Sequence, residues 1–495
     1  MRYPLVYELN TRCWLHELSV RLGAVIDLAD VPEDEFASWN RLGFTHVWAM
    51  GVWEAGPRTR AASLGDTALR QRCAEILPDF VEADLVGSPF APASYEVASR
   101  LGGDAGLEKF RRRLHGHGLK LLLDFVPNHV GLDHPWVWEH PERFVHGAEP
   151  FAHGFARCTA IGDLWLAFGR DPYFPPWVDT VQLDYRRGDT RAAMIQVMMG
   201  LAARCDGLRC DMAMLLLNHV FARTWGEFPT IEPLSGTEFW ATAIEAVRTA
   251  WPSCLLVAEA YWGLEPRLLE LGFDYAYDKR LYDHLLARDR LSVHRHLIES
   301  PPQLVRSSVH FIENHAEPRI AGRVSLDEHR AATLLVLALP GMRLLHDGQL
   351  AGARSQVPVQ LARRPPEQPD PGVQALYEQL LGAVAKSTVG NGKGTLPVVR
   401  CAGEGNPSWR NLVVLLWQGS SQGFDLAVVN LAPNRSQGFA RIDVPGLERT
   451  NWVLQDRLGD ERFERAGREL RTQGLFLDVG PYAAQLFHFR PVSTS

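Results

Sequence analysis

Four apolar stretches of the chain end in polar side chains suited to acid–base and nucleophilic chemistry. LLLDFVPNH places Asp124, Asn128 and His129 at one such end, and GLRCDMAM places Arg209 and Asp211 two residues apart, on one face of a strand. LLVAEAYW ends with Glu259, and VHFIENHAEPR ends with Asn314 and His315. A carboxylate that closes an apolar strand costs free energy unless it is paired or faces a wet cleft. Arg209 beside Asp211 predicts an aspartate kept ionised, as a nucleophile requires. Glu259, at the end of a separate apolar strand, is expected to have a raised pKa and to act as an acid. Two carboxyl groups in opposed environments imply cleavage of a glycosidic bond. Taken alone, each residue reads equally well as a cap or a satisfied ion pair; the four ends together, in this order, do not.

The elements that must position these groups follow from the hydrophobic pattern. Short apolar runs recur at 4–9, 44–50, 119–126, 207–214, 254–261, 273–277, 308–312 and 342–348, with amphipathic stretches such as Gly106–His117 and Thr190–Cys205 between them. This β–α alternation predicts a buried parallel sheet. Eight such strands in one unit predict a (β/α)8 barrel, whose chemistry is expected where the strands run out into loops. No glycine fingerprint follows the first strand, which argues against a dinucleotide fold. One connection, from Val130 to about Asp184, is long and rich in Pro, Gly, His and aromatic residues, and predicts an inserted domain. After GNGKG (390–394) the pattern turns to LVVLLWQ, FDLAVVNLA, ARIDVP, LFLDV and AAQLFHF, which predicts an antiparallel β-sandwich. The expected division is a barrel over 1–129 and 185–388, an insert over 130–184 and a sandwich over 389–495.

Bulk properties bound the partners. With 495 residues the chain is too long for one ordinary core, and 46% hydrophobic with 22% charged residues is a globular composition. A formal net charge of -7 without basic runs argues against nucleic acid as a partner. No apolar run is long enough to span a membrane. The N-terminal MRYPLVYELN lacks the pattern of a signal peptide. The seven cysteines are scattered and never in CxxC spacing, which argues against a zinc site and for a reducing cytoplasm. Oligomeric state is not legible.

The polar strand ends resemble the conserved regions of the α-amylase family (glycoside hydrolase family 13). DFVPNH (124–129 with its preceding strand) resembles the first region, GLRCDM (207–212) the second, the strand ending in Glu259 the third and IENHAE (312–317) the fourth. QLDY (182–185) resembles the further region at the end of the family's inserted domain. The resemblance spans barrel, insert and sandwich. It implies a retaining α-glucoside hydrolase in which Asp211 is the nucleophile, Glu259 the acid and base, and Arg209 the group that holds Asp211. It also implies that His129 and His315 bind hydroxyls of the sugar, that Asp124 supports that wall and that Asn314 is a further substrate-binding residue. Phe90, in SPFAPASY, matches the family's stacking position, with Tyr95 close by; Trp165, Tyr173, Phe174, Trp177, Tyr261 and Trp262 are further candidate platforms, Trp262 foremost. No cofactor is required by this chemistry. Many family members bind a structural calcium through the asparagine of the first region, so Asn128 could ligate one, although the insert shows no Asp-rich loop. The implied partner is an α-linked glucooligosaccharide. An α-glucanotransferase, which passes the sugar to another hydroxyl instead of water, has the same motifs.

The fourth region departs from the family at one residue. The family has an aspartate directly after Asn-His, and this chain has Ala316. That aspartate holds the sugar's hydroxyls and stabilises the transition state, so its loss predicts a rate lower by at least about 10²–10³. Three explanations stand: an engineered Asp→Ala exchange, a natural loss leaving a silent carbohydrate-binding or regulatory protein, and replacement by Glu317. Retention of Arg209, Asp211, Glu259 and both histidines favours the first. Glu317, one residue further along an extended strand, would face the other way.

Overall fold

The computed structural model describes residues 2–159, 162–228, 230, 235–419 and 423–492, the side chains at 158, 159, 162 and 163 excepted. The side chain of Cys158 therefore lies outside the described residues. The other six cysteines are free thiols, five of them buried.

The eight apolar runs become strands Leu5–Asn10, His46–Met50, Lys120–Phe125, Gly207–Cys210, Leu255–Ala258, Tyr275–Tyr277, Ser308–His310 and Met342–His346. Each is parallel to its sequence neighbour and the last pairs with the first, which closes the barrel. Their residues are almost all buried, because one face packs into the barrel and the other against helices. The helix Gly103–Gly116 shows how the outer layer is set: Gly106, Leu107, Phe110 and Leu114 form its buried stripe. Side-chain caps start several other helices, with Asp278 accepting from Leu281 N–H and Ser325 from Glu328 N–H.

Register brings the polar residues level. Arg209 in the fourth strand lies opposite Asp124 in the third and Val257 in the fifth. Asp211 and Glu259 therefore emerge one step above the Asp124–Arg209 layer, at the strand ends.

Two excursions leave the barrel on this side. Between the second and third strands, Trp53–Ala55 pairs with Pro92–Val97, and helices Pro57–Gly65 and Thr67–Ile76 lie between them. The sequence signals for these helices are a proline at the first helical position and Asp66 capping the second, but they alternate with no strand and fell outside the β–α reading. In the segment after the third strand, Thr180–Gln182 returns antiparallel to His129–Gly131, and Gly162–Ala167 is the centre of a three-stranded sheet with His146–Gly147 and Gly154–Thr159.

The C-terminal strands form a six-stranded antiparallel sheet and a three-stranded one. Here one expected strand is displaced. ARIDVP contributes only Ala440, and the strand is Ser436–Ala440. Its inward positions are Ser436, Gly438 and Ala440, so close packing replaces the hydrophobic alternation that would have marked it. A Cβ at Gly438 would stand 2.6 Å from Val399 Cγ1. Strands Asn451–Asp456 and Arg462–Ala466 were not foreseen.

Candidate active site

The strand ends open into a cleft of about 470 Å³ lined by, among others, Phe90, His129, Trp177, Arg209, Asp211, Glu259, His315 and Ala316. At its floor one guanidinium binds both catalytic candidates. Arg209 Nη1 donates to Asp211 Oδ1 at 2.6 Å, and Nη2 lies 2.8 Å from Glu259 Oε2. The same Nη1 is 3.6 Å from Asp124 Oδ1. Arg209 is fully buried, and its guanidinium lies 5.1 Å from the ring centroids of both Trp48 and Phe90 and 5.8 Å from that of Tyr277. Such a cation is retained only because the three carboxylates surround it. Burial pushes Asp124 up to about 6, against the pull of Arg209.

The protonation pattern of the carboxyl pair is the reverse of the sequence expectation. Burial disfavours the charge on both groups. Glu259 nevertheless collects three donors: Arg209, the backbone N–H of Met212 at 2.7 Å and the phenol of Tyr261 at 2.7 Å. These outweigh desolvation and hold Glu259 below the ordinary glutamate range. Asp211 has Arg209 alone, and burial with the neighbouring Glu259 charge raises it. One arginine cannot neutralise two buried carboxylates, so Asp211, with fewer donors, holds a shared proton more readily than Glu259 does. The backbone contributes to this bias: Met212 has φ 43°, a strained value for a side-chain-bearing residue, and that turn presents its N–H to Glu259. The strand pattern showed both acids but not the donors around them.

Several other expectations need correction. His129 lines the cleft, but both ring nitrogens are engaged within the protein. Nε2 donates to Phe90 O at 2.9 Å, so Nδ1 is the acceptor and faces Asn128 Nδ2 at 3.2 Å. Burial lowers its pKa to about 4, which keeps it neutral. Asn314 supports the loop rather than the sugar: its Oδ1 accepts from the N–H groups of Ala316 and Glu317 at 2.9 and 3.1 Å. Tyr95 is outside the cleft lining and exchanges hydrogen bonds with the Val126 backbone. Trp262 is also outside it, 39% exposed and edge-on to Tyr173 at 4.8 Å. Tyr261, expected as a sugar platform, is a hydrogen-bond donor to Glu259 instead.

Phe90 and Trp177 do line the cleft, tilted against His315 and His129 respectively, each at a centroid distance of 5.1 Å. His315 Nδ1 is 2.5 Å from Glu8 Oε1, which leaves Nε2 for the cleft. Ala316 brings only its methyl group, and its carbonyl accepts from Gln356 Nε2 at 2.8 Å. Glu317 is not among the lining residues; it pairs with Lys279 at 3.3 Å.

The calcium ligand fits poorly. The Asn128 amide is paired face to face with that of Gln182, Nδ2 to Oε1 at 3.2 Å and Oδ1 to Nε2 at 3.1 Å. The oxygen a hard cation would need already accepts a hydrogen bond. Among the described residues no three His, Cys, Asp or Glu side chains gather as a metal site.

The closed parallel barrel, the strand-bearing insert after its third strand and the two-sheet C-terminal region together have the fold of the α-amylase family. The maltogenic α-amylase AmyB of Thermotoga neapolitana superposes with a TM-score of 0.68 at 18% identity, over 99% of each chain. The α-amylase of Lactobacillus plantarum gives 0.66 at 20% identity, over 98% of this chain and 99% of that one. The Geobacillus thermoleovorans α-amylase, solved with acarbose, gives 0.65 at 16% identity, over 99% of each. Sequence relatives include α-amylase MalA of Haloarcula japonica, 24% identical over 269 residues, which are 53% of this chain and 36% of that protein. The 1,4-α-glucan branching enzyme GlgB of Bordetella bronchiseptica is 28% identical over 219 residues, 42% of this chain and 27% of the enzyme. The matches thus span about a third of these relatives' length. No family model matches the chain.

Proposed function

We propose that the protein acts on α-linked glucooligosaccharides as a retaining α-glucoside hydrolase of the cytoplasm, much slowed by the alanine at 316. The observation that carries this reading is the convergence of Asp211 and Glu259 on one buried arginine at the floor of a cleft walled by Phe90 and Trp177. Asp211 Oδ attacks the anomeric carbon once its proton has left; Glu259, having received a proton, delivers it to the leaving oxygen and later takes one from water. Arg209 stabilises whichever carboxylate is charged, so transfer of the proton between the two is a step of the cycle. The position of Ala316 in the cleft wall leaves the sugar's hydroxyls on that side without a carboxylate partner.

Two other readings draw support from specific observations. The branching enzymes among the sequence relatives favour α-glucan transfer, which differs only in the acceptor. The reversed protonation and the engaged His129 favour a silent carbohydrate-binding protein. Incubation of the Ala316→Asp protein with maltooligosaccharides separates the three. Shorter products alone mean hydrolysis, longer ones mean transfer, and no turnover of any α-glucan overturns the enzyme reading.

A further inference from the structure

Among the described residues five charged side chains line the cleft: Arg72, Asp179, Arg209, Asp211 and Glu259. Three of them satisfy one another at the floor. Arg72 is different. It projects from the helix Thr67–Ile76 one turn after Leu69, which lines the same wall. Its Nη2 donates to Gln356 Oε1 at 3.0 Å, and Gln356 Nε2 donates to Ala316 O. Among the described residues no carboxylate lies within ion-pairing distance of it. The Gln356 amide is thus used at both ends, tying a guanidinium of uncompensated charge to the one strand end that lacks its acid. An exposed arginine without this tether would be an ordinary solvated charge. Here the guanidinium lines the cleft with N–H groups beyond the one given to Gln356, and a guanidinium is the planar donor set that matches a carboxylate or phosphate. An acid at position 316 would have supplied a competing anion on this side; the methyl group of Ala316 supplies none.

Resting on the reading of the cleft as a glucoside site, we infer that its substrate is an α-glucoside bearing an oxyanion substituent, a phosphate ester or a carboxylate on the sugar, held by Arg72 and Gln356 beside Ala316. Asp179, beside Trp177, is the remaining unpaired charge; burial pushes its carboxyl up to about 6, so it opposes an anion only above that pH.

The test is calorimetric titration of the full chain at fixed ionic strength and mildly acidic pH. The probes are maltose, maltose phosphorylated on its non-reducing primary hydroxyl, and inorganic phosphate, each against wild type, Arg72→Met and Gln356→Leu. One charge-assisted hydrogen bond to the guanidinium corresponds to about tenfold in affinity or more. The phosphorylated sugar is expected to bind wild type at least about tenfold more tightly than maltose. That ratio is expected to fall towards unity in Arg72→Met and to shrink in Gln356→Leu. Equal binding of the two sugars by wild type, an advantage that survives Arg72→Met, or inorganic phosphate binding as tightly as the phosphorylated sugar each overturns the inference while leaving the glucoside reading intact. Failure of both sugars to bind wild type overturns the glucoside reading itself.

Discussion

Removing the Tyr261 hydroxyl is expected to make catalysis faster. In the protein the phenol donates to Glu259 Oε1 at 2.7 Å, one of three donors that keep the proton of the carboxyl pair on Asp211. The proposed chemistry needs the opposite microstate, with Glu259 protonated and Asp211 charged. A hydrogen bond to a charged group contributes about 1.5–3 kcal/mol, and 1.4 kcal/mol corresponds to tenfold in a population ratio. Tyr261→Phe should therefore shift the microstate ratio towards the productive form by roughly 10–100-fold. The sign is fixed by the group involved: a donor lost from a carboxylate raises its pKa, so the shared proton is drawn from Asp211 towards Glu259, while the basic limb, set by the group that holds the proton, moves little. The assay is kcat/KM against pH on maltooligosaccharides, in the Ala316→Asp background so that turnover is measurable. The expected result is a rise in kcat/KM near neutrality of roughly 10-fold or more, with the basic limb little displaced. An unchanged or lower kcat/KM near neutrality, or a limb displaced upward without that rise, refutes the assignment of the shared proton to Asp211.

Restoring the acid by Ala316→Asp should raise kcat on α-glucans by about 10²–10³, read by reducing-end release. Phe90→Ala removes the ring packed against His315 and near Arg209, and should weaken oligosaccharide binding by about 1 kcal/mol, measured by calorimetry. Asp278 is buried, receives hydrogen bonds from His296 and His310 and caps a helix; Asp278→Ala should cost about 3 kcal/mol in urea unfolding. These partners hold the Asp278 carboxyl well below its ordinary value despite burial. Its stabilisation is therefore present above the unfolded-state pKa of about 3.9 and is lost as pH falls from there towards the folded value. Acid unfolding of Asp278→Asn should accordingly be less steep below about pH 4 than that of wild type.

The barrel was legible because each strand is a continuous apolar run bounded by helical patterns, and its catalytic candidates because Asp211 and Glu259 interrupt such runs at one end. The donors that set their protonation were not, since a backbone N–H at Met212 has no signature in the sequence and Tyr261 looks like any loop aromatic. The roles of His129 and Asn314 were misread for a related cause. Side-chain identity shows hydrogen-bonding capacity, but only the fold shows that the Phe90 carbonyl and the Ala316 and Glu317 amides consume it. Arg72 was invisible because its helix belongs to an excursion that breaks the β–α rhythm. In the C-terminal region, Ser436–Ala440 was missed because small residues in tight packing carry no hydrophobic alternation.

The bond from His315 to Glu8 joins the seventh barrel strand to the first, across 307 residues. His315, which lines the cleft, is thus oriented by the opening strand. During synthesis, then, a ribosome must deliver nearly the whole barrel before the sugar-facing wall can be set, and the N-terminal strand must hold a buried glutamate in reserve until then. Closing so long a loop costs more chain entropy than a local contact does, and the pairing of the first strand with the eighth spans a longer loop still.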